Sequence, residues 1–165
     1  MTLKNLLDGI GNVTIRLTEL SLGDSAKYLE GMKRSFQLDS YSCGVQATYS
    51  ILKYFGKNIS PERLREELGV EDRGYASESA IYNLLRKKRL KISLRKKATF
   101  QTIYEAIDDY EAPILTTVYN YEHWVVIYGY SKEQFLVIDS LPSFVKRDKK
   151  SFRRYWDKWG AIIYE

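Results

Sequence analysis

A single cysteine and a single histidine stand in a 165-residue chain, and each sits in a setting that suits chemistry. Cys43 occurs in "SFQLDSYSCGVQATYS", with Gln37 six positions before it and Gly44 directly after it. His123 opens "HWVVIYGYSKEQFLVIDS", which carries Asp139 near its end. A sulfur at the first turn of a helix sits in the positive field of unpaired backbone N–H groups. A neighbouring imidazolium adds to that field, and both favour the nucleophilic thiolate. A carboxylate behind the imidazole fixes its tautomer and stabilises its charged form. The Gln37 amide, with the Cys43 backbone N–H, can donate to the oxyanion that forms when a thiolate attacks a carbonyl. Gly44 has no side chain to crowd an approaching substrate. Trp124, beside His123, is a second candidate substrate contact.

Singly, each residue has a plain structural reading. Cys43 suits a small buried hydrophobe, Gln37 a surface amide and His123 a polar strand end. One site accounts for Gln37, Cys43, His123 and Asp139 together.

The elements that must position these groups follow from periodicity. From Cys43, the residues Val45, Tyr49, Leu52 and Phe55 recur at helical spacing, and Gly56 is a stop. "SPERLREELG" reads as a helix with Ser60 as cap, Pro61 first and Gly69 last. "SESAIYNLLRKK", capped at Ser77, and "TFQTIYEAIDDY" read as further helices, with "LKISL" a strand between them. After Pro113 the period changes to β-branched and aromatic runs: "ILTTVY", "HWVVIYG" and "FLVIDS". A helix over about Lys150–Trp159 and a strand "AIIYE" follow. A hairpin centred on Ser131 would set Ile127 opposite Phe135, Val125 opposite Val137 and His123 opposite Asp139. In the first 35 residues, "NVTIRLTEL" alternates Val13, Ile15 and Leu17, which predicts a strand, and Asp24 could cap a short helix through Met32. Helices first and strands after argue for an α+β fold, with N-terminal helices packed on a C-terminal antiparallel sheet.

The length suits one domain. A lone cysteine excludes an intramolecular disulfide and suits a reducing, cytoplasmic setting. The N-terminus is too weakly apolar for a signal peptide, and no run reaches the ~18 apolar residues of a membrane span. No metal-ligand cluster exists, so neither metal nor cofactor is expected. The net charge is +5, much of it in "RKKRLKISLRKK", Arg86–Lys97. No nucleic-acid motif or interleaved aromatics accompany that run. It reads as a solvated helix end and a strand with a charged outer face, not as a nucleic-acid site.

The residues "QLDSYSCG", the apolar helix ending "YFG", "HWVVIYGY" and a strand ending in Asp resemble the papain-like cysteine peptidases that process double-glycine leader peptides of bacteriocins. The resemblance runs from about Phe36 to Ser140. It implies a papain-like fold in residues 36–165, preceded by an N-terminal extension, 1–35, that matches nothing in the family and packs on the globule or gates its cleft. It implies Cys43 as nucleophile, His123 as general base and acid, Asp139 as the group orienting His123, and Gln37 as oxyanion donor. A peptide or protein substrate follows, with a leader peptide and cleavage after Gly-Gly as the family pattern. Asp39 falls within the motif without a chemical role and suits a turn or cap. Two departures stand out: Ser42 where many members carry Asp, and Ser140-Leu141-Pro142 where many place Pro directly after the third residue. The same acyl-thioester intermediate also serves transglutaminases, deamidases, isopeptidases and acyltransferases. A non-catalytic peptide-binding module is the alternative outside enzymes.

Overall fold

Fifteen short elements follow one another among the described residues, which in this computed structural model are 1–141 and 146–165. Pro142, noted above, lies outside them. The first is α1 (Leu3–Leu22), followed by a 3-10 turn at Gly23–Ser25 and the strand β1 (Lys27–Tyr28). Next come α2 (Cys43–Tyr54), α3 (Pro61–Glu67), α4 (Val70–Arg73) and α5 (Glu78–Lys87). Then β2 (Lys91–Arg95), α6 (Phe100–Asp108) and three successive strands follow: β3 (Ile114–Val118), β4 (His123–Tyr130) and β5 (Gln134–Ile138). It closes with β6 (Lys146–Asp148), α7 (Lys149–Tyr155) and β7 (Gly160–Tyr164).

Local chemistry sets the boundaries. Ser60 and Ser77 accept from the Arg63 and Ala80 N–H groups and so cap α3 and α5. Gly56 takes a φ of 66° after α2, and the Lys57 N–H closes onto the Leu52 carbonyl at 2.8 Å. Only glycine enters that left-handed geometry without strain.

The strands form one antiparallel sheet in the order β2-β7-β3-β4-β5-β6, and β1 adds to β4. Side chains alternate across it. Val126, Leu136 and Ile138 join a core with Ile51, Leu52, Leu64 and Leu85 of α2, α3 and α5. Val125, Ile127, Phe135 and Val137 join a second core with Ile103, Phe152 and Trp156 on the other face. This is the expected α+β arrangement of helices on an antiparallel sheet. The basic run lies at its margin: β2 is an edge strand, where Lys91 and then Lys96 and Lys97 are exposed. Charge on an edge blocks pairing with foreign strands.

Three local expectations are corrected. Residues 12–20 are helical, not a strand. Thr2 caps α1 by accepting from the Asn5 N–H, and the alternation of Val13, Ile15 and Leu17 splits: Ile15 is buried while Val13 and Leu17 are exposed. Asp24 starts no helix to Met32; it lies in the 3-10 turn, and the chain then extends into β1. The last helix ends at Tyr155, because Trp156 turns extended (ψ 130°) and bridges to Val118.

Gly129 marks where β1 meets β4. A Cβ there would lie 2.5 Å from the Tyr28 Cβ and 2.7 Å from the Lys27 carbonyl oxygen. Backbone cannot yield as a flexible side chain can. Gly129→Ala is expected to cost about 1–3 kcal/mol by overpacking, read as a lower urea midpoint at unchanged slope. An unchanged midpoint would show that β1 does not depend on this close approach.

Among the described residues, no helix is long and apolar enough to cross a membrane.

Candidate active site

His123 and Asp139 stand at the open end of the β4–β5 hairpin, whose register differs from the one expected. Next to the turn, Tyr130 pairs with Phe135 and Gly129 with Leu136; farther on, Ile127 pairs with Val137 and Val126 with Ile138. Tyr128 is the extra residue of a bulge between these two stretches. Extended straight from the turn, the first register would oppose Asp139 to Val126 and point it away from the His123 face. The bulge shifts the count by one. Asp139 then falls opposite Val125, on the His123 face and one diagonal step from it. His123 Nε2 reaches Asp139 Oδ1 at 2.7 Å. The two side chains meet diagonally rather than in the direct opposition expected.

The sulfur is delivered by α2. The loop before it is folded around Asp39, whose Oδ1 accepts from the Tyr41 and Ser42 N–H groups at 2.9 and 2.7 Å. Its Oδ2 accepts from the Ser42 hydroxyl at 2.6 Å and from Arg65 Nη1 at 2.9 Å. Arg65 Nη1 also donates to the Ser42 hydroxyl. Burial alone would raise the Asp39 pKa, but the Ser42 hydroxyl, the Tyr41 N–H and Arg65 hold it below the usual carboxylate range. Asp39 is thus a turn residue, and Ser42 is its partner. Cys43 follows as the first residue of α2 and is buried. Its N–H belongs to the first helical turn, where no intrahelical acceptor exists.

Gly44 lies under the site rather than in open space. A Cβ on it would meet the Ala76 Cβ at 2.9 Å and the Trp124 Cδ1 at 3.1 Å. Its smallness lets α2 settle against the Trp124 ring, which in turn packs edge-on against Trp159 with centroids 5.6 Å apart. Trp124 itself is half-buried.

Charge organises the rear of the site. His123 and Asp139 side chains are 9% and 8% exposed, so their pairing is little screened by water. Burial disfavours the imidazolium, yet the Asp139 hydrogen bond and the adjacent Cys43 sulfur outweigh it and push the His123 pKa up to about 9. With Nε2 bound to Asp139, Nδ1 is the ring nitrogen left for the sulfur. Burial would raise the Asp139 pKa, but the His123 hydrogen bond, the Leu141 N–H and Arg147 hold it below the usual range. Arg147 Nη2 donates to Asp139 Oδ2 at 3.3 Å, and the Leu141 N–H donates to Oδ1 at 2.9 Å. Arg147→Gln is expected to raise the pH at which Asp139 takes up a proton. The acid limb of the rate profile then moves upward, with kcat lowered by about tenfold or less. A superimposable profile would show that Arg147 does not act on Asp139.

Gln37 joins the two halves. Its N–H donates to the Ser140 carbonyl at 3.0 Å, and its side-chain Oε1 accepts from the Ser140 hydroxyl at 2.5 Å. Its Nε2 donates to the Asp39 carbonyl at 2.7 Å, which uses one of two N–H groups. Arg34 adds a second tie: its Nε donates to the Asp139 carbonyl at 2.6 Å and its Nη2 to that of Leu141. Arg34, Arg65, Ser140 and Arg147 were missed by sequence reasoning. Lone arginines outside a motif carry no periodic signal; Ser140 stood out in the sequence only as a departure after the acid, with no role attached to its hydroxyl.

An α+β fold with a thiol at a helix start, beside a histidine bonded to a carboxylate, defines a papain-like thiol hydrolase. Residues 32–164 match the Peptidase C39 family, and the chain belongs to it: it is a cysteine peptidase. No curated protein matches the chain. Among solved structures it is similar to the peptidase domain of Streptococcus ComA, a bi-functional ABC transporter involved in a quorum-sensing pathway. That match has a TM-score of 0.67 and 22% identity, and covers 78% of this chain and 95% of that one. A double-glycine-motif protease from an AMS/PCAT transporter, in complex with the leader peptide, gives 0.65 at 18% identity over 84% and 96%. A C39-like peptidase from Bacillus anthracis gives 0.65 at 20% identity over 86% and 98%. At these identities the likeness is one of fold.

Proposed function

We propose that the chain cleaves a peptide after small residues, with Cys43 as nucleophile, His123 as acid and base, Asp139 as orienting group and Gln37 as oxyanion donor. The observation that carries the reading is the placement of the His123 ring, bonded to Asp139 at 2.7 Å and beside the Cys43 sulfur, two neighbours that together outweigh burial and favour its charged form.

The Cys43 sulfur attacks the scissile carbonyl carbon, and the new oxyanion accepts from the Cys43 N–H and the second N–H of Gln37 Nε2. The imidazolium gives its proton to the leaving amine as the C–N bond breaks. A water then loses a proton to His123 and attacks the thioester; the acid product leaves and the thiolate–imidazolium pair is restored. Asp139 keeps the ring oriented throughout, while Arg147 and Arg34 keep Asp139 in place. Trp124 borders the groove, and Gly44 acts by letting that ring sit close to α2.

The substrate class is a leader peptide ending in Gly-Gly, in keeping with the family and with the leader-bound fold relative. The reading places the catalytic domain in residues 36–165, with 1–35 docked on it, in a reducing cytoplasmic setting that keeps Cys43 a thiol. Mass spectrometry of synthetic leader peptides incubated with the protein tests it. Two fragments parted after Gly-Gly are expected. A one-dalton change or a new isopeptide bond on an uncut chain would instead assign the thioester to deamidation or acyl transfer.

A further inference from the structure

The helix α1 is held to the domain by polar groups as much as by core contacts. Beside the buried Ile15, its inward face carries Asp8, which accepts from the Phe36 N–H at 2.7 Å, Lys4, which donates to the Ser35 hydroxyl, and Asn12, whose Oδ1 accepts from the Arg34 N–H at 2.8 Å. Gly11 lets the helix approach closely, since a Cβ there would lie 2.5 Å from the Phe36 ring. Its outward face is apolar. Leu3, Leu6, Ile10, Val13, Leu17 and Leu20 are 45–65% exposed. Their spacing is 3, 4, 3, 4, 3, the alternation that makes up the seven-residue repeat of a coiled-coil seam. A stripe of that period is matched by another helix, not by a sheet or a pocket.

We propose that this seam is the contact of a homodimer, in which α1 pairs antiparallel with α1 of a second copy. The seam reads Leu, Leu, Ile, Val, Leu, Leu, so its side-chain classes are the same in both directions. In the antiparallel register Leu3 meets Leu20, Leu6 meets Leu17 and Ile10 meets Val13 of the other copy. Leucine faces leucine and β-branched faces β-branched, as a two-fold, self-complementary contact requires. Antiparallel pairing also sets the two helix dipoles in opposition. The residues flanking the seam are Leu7, Gly9, Thr14, Arg16 and Ser21, so no row of like charges is brought together. The six exposed side chains offer roughly 600 Å² of apolar surface per copy, and two copies would bury about 1,200 Å², the lower bound for stable interfaces. A lipid surface fits less well. The two basic residues of α1, Lys4 and Arg16, are both paired with acids, Asp8 and Glu19, whereas membrane-binding helices carry unpaired basic flanks.

Sedimentation velocity tests the proposal. The native chain is expected to run at twice 19.3 kDa at micromolar concentration, and the double variant Ile10→Asp/Leu17→Asp at the single mass with unchanged far-UV circular dichroism. Orientation is read in a Cys43→Ala background. Mixing Ile10→Cys chains with Val13→Cys chains is expected to give the mixed disulfide as the main cross-linked product. A native chain that stays monomeric up to millimolar concentration overturns the proposal, whether or not it binds vesicles or a helical peptide through α1. So does a dimer that survives the double Asp variant, or an Ile10→Cys homodimer as the main cross-link.

Discussion

Cys43→Ala is expected to abolish peptide turnover, with kcat/KM falling by at least about 10⁴-fold while the fold persists. The reason is chemical before it is structural. Without the sulfur no acyl-enzyme forms, and the remaining oxyanion donors can only assist direct attack by water. The structural cost is small, because the residue removed is a small buried side chain at a helix start and alanine is a strong helix former. The variant also carries a signature at the histidine, read beside a far-UV circular dichroism spectrum that must stay unchanged, since unfolding would lower the same pKa. The sulfur is one of the groups raising the His123 pKa, so its removal should move that pKa down from about 9. His123 is the only histidine in the chain, so its ring proton resonances assign themselves in a pH titration by NMR. Retained turnover, or an imidazole that titrates as before, would remove Cys43 from the site.

The second large effect is on pH. A His123 pKa of about 9 lies above the ordinary value of 6.5, so protonated His123 favours the folded state. That stabilisation is fully present below about pH 6.5 and is lost as pH rises through about 9. Activity should share the alkaline limb, since the imidazolium that pairs with the sulfur disappears there. Asp139 has the opposite sign. Its pKa is depressed, so its contribution is present above the ordinary carboxylate range and is lost as pH falls through the depressed value. The rate profile should therefore be broad. Asp139→Asn should narrow it from the alkaline side, because the amide cannot hold the imidazolium as a carboxylate does. The alkaline limb then moves from about 9 toward 6.5, and kcat/KM falls by about 10²-fold. Stopped-flow or steady-state rates between pH 4 and 10 decide this; an alkaline limb unmoved in Asp139→Asn would separate Asp139 from the chemistry.

The residues that meet at the candidate site, Gln37, Cys43, His123 and Asp139, were legible in the sequence because they are concentrated in two short segments and their order survives without knowledge of the fold. Helices with good caps, such as the one starting at Ser60-Pro61, were legible for the same local reason. The register of the hairpin was not. The bulge at Tyr128 lies next to the point where β1 pairs with Gly129, a contact between segments a hundred residues apart, and nothing at Tyr128 announces it. The first helix was misread because a window from Asn12 to Leu20 shows alternation, whereas the repeat that governs the segment begins at Leu3. The arginines behind Asp139 act through long side chains reaching from distant segments, so no spacing rule points to them.

The extra residue at Tyr128 has a consequence for comparing this chain with its relatives. Losing the extra residue while the turn-side pairs are kept would carry the acid to the other side of the ribbon, whereas residues added at the tip leave imidazole and carboxylate together as long as the ladder keeps its partners. In an alignment of this hairpin, a single gap inside a strand therefore separates the pair, and a gap at the tip does not.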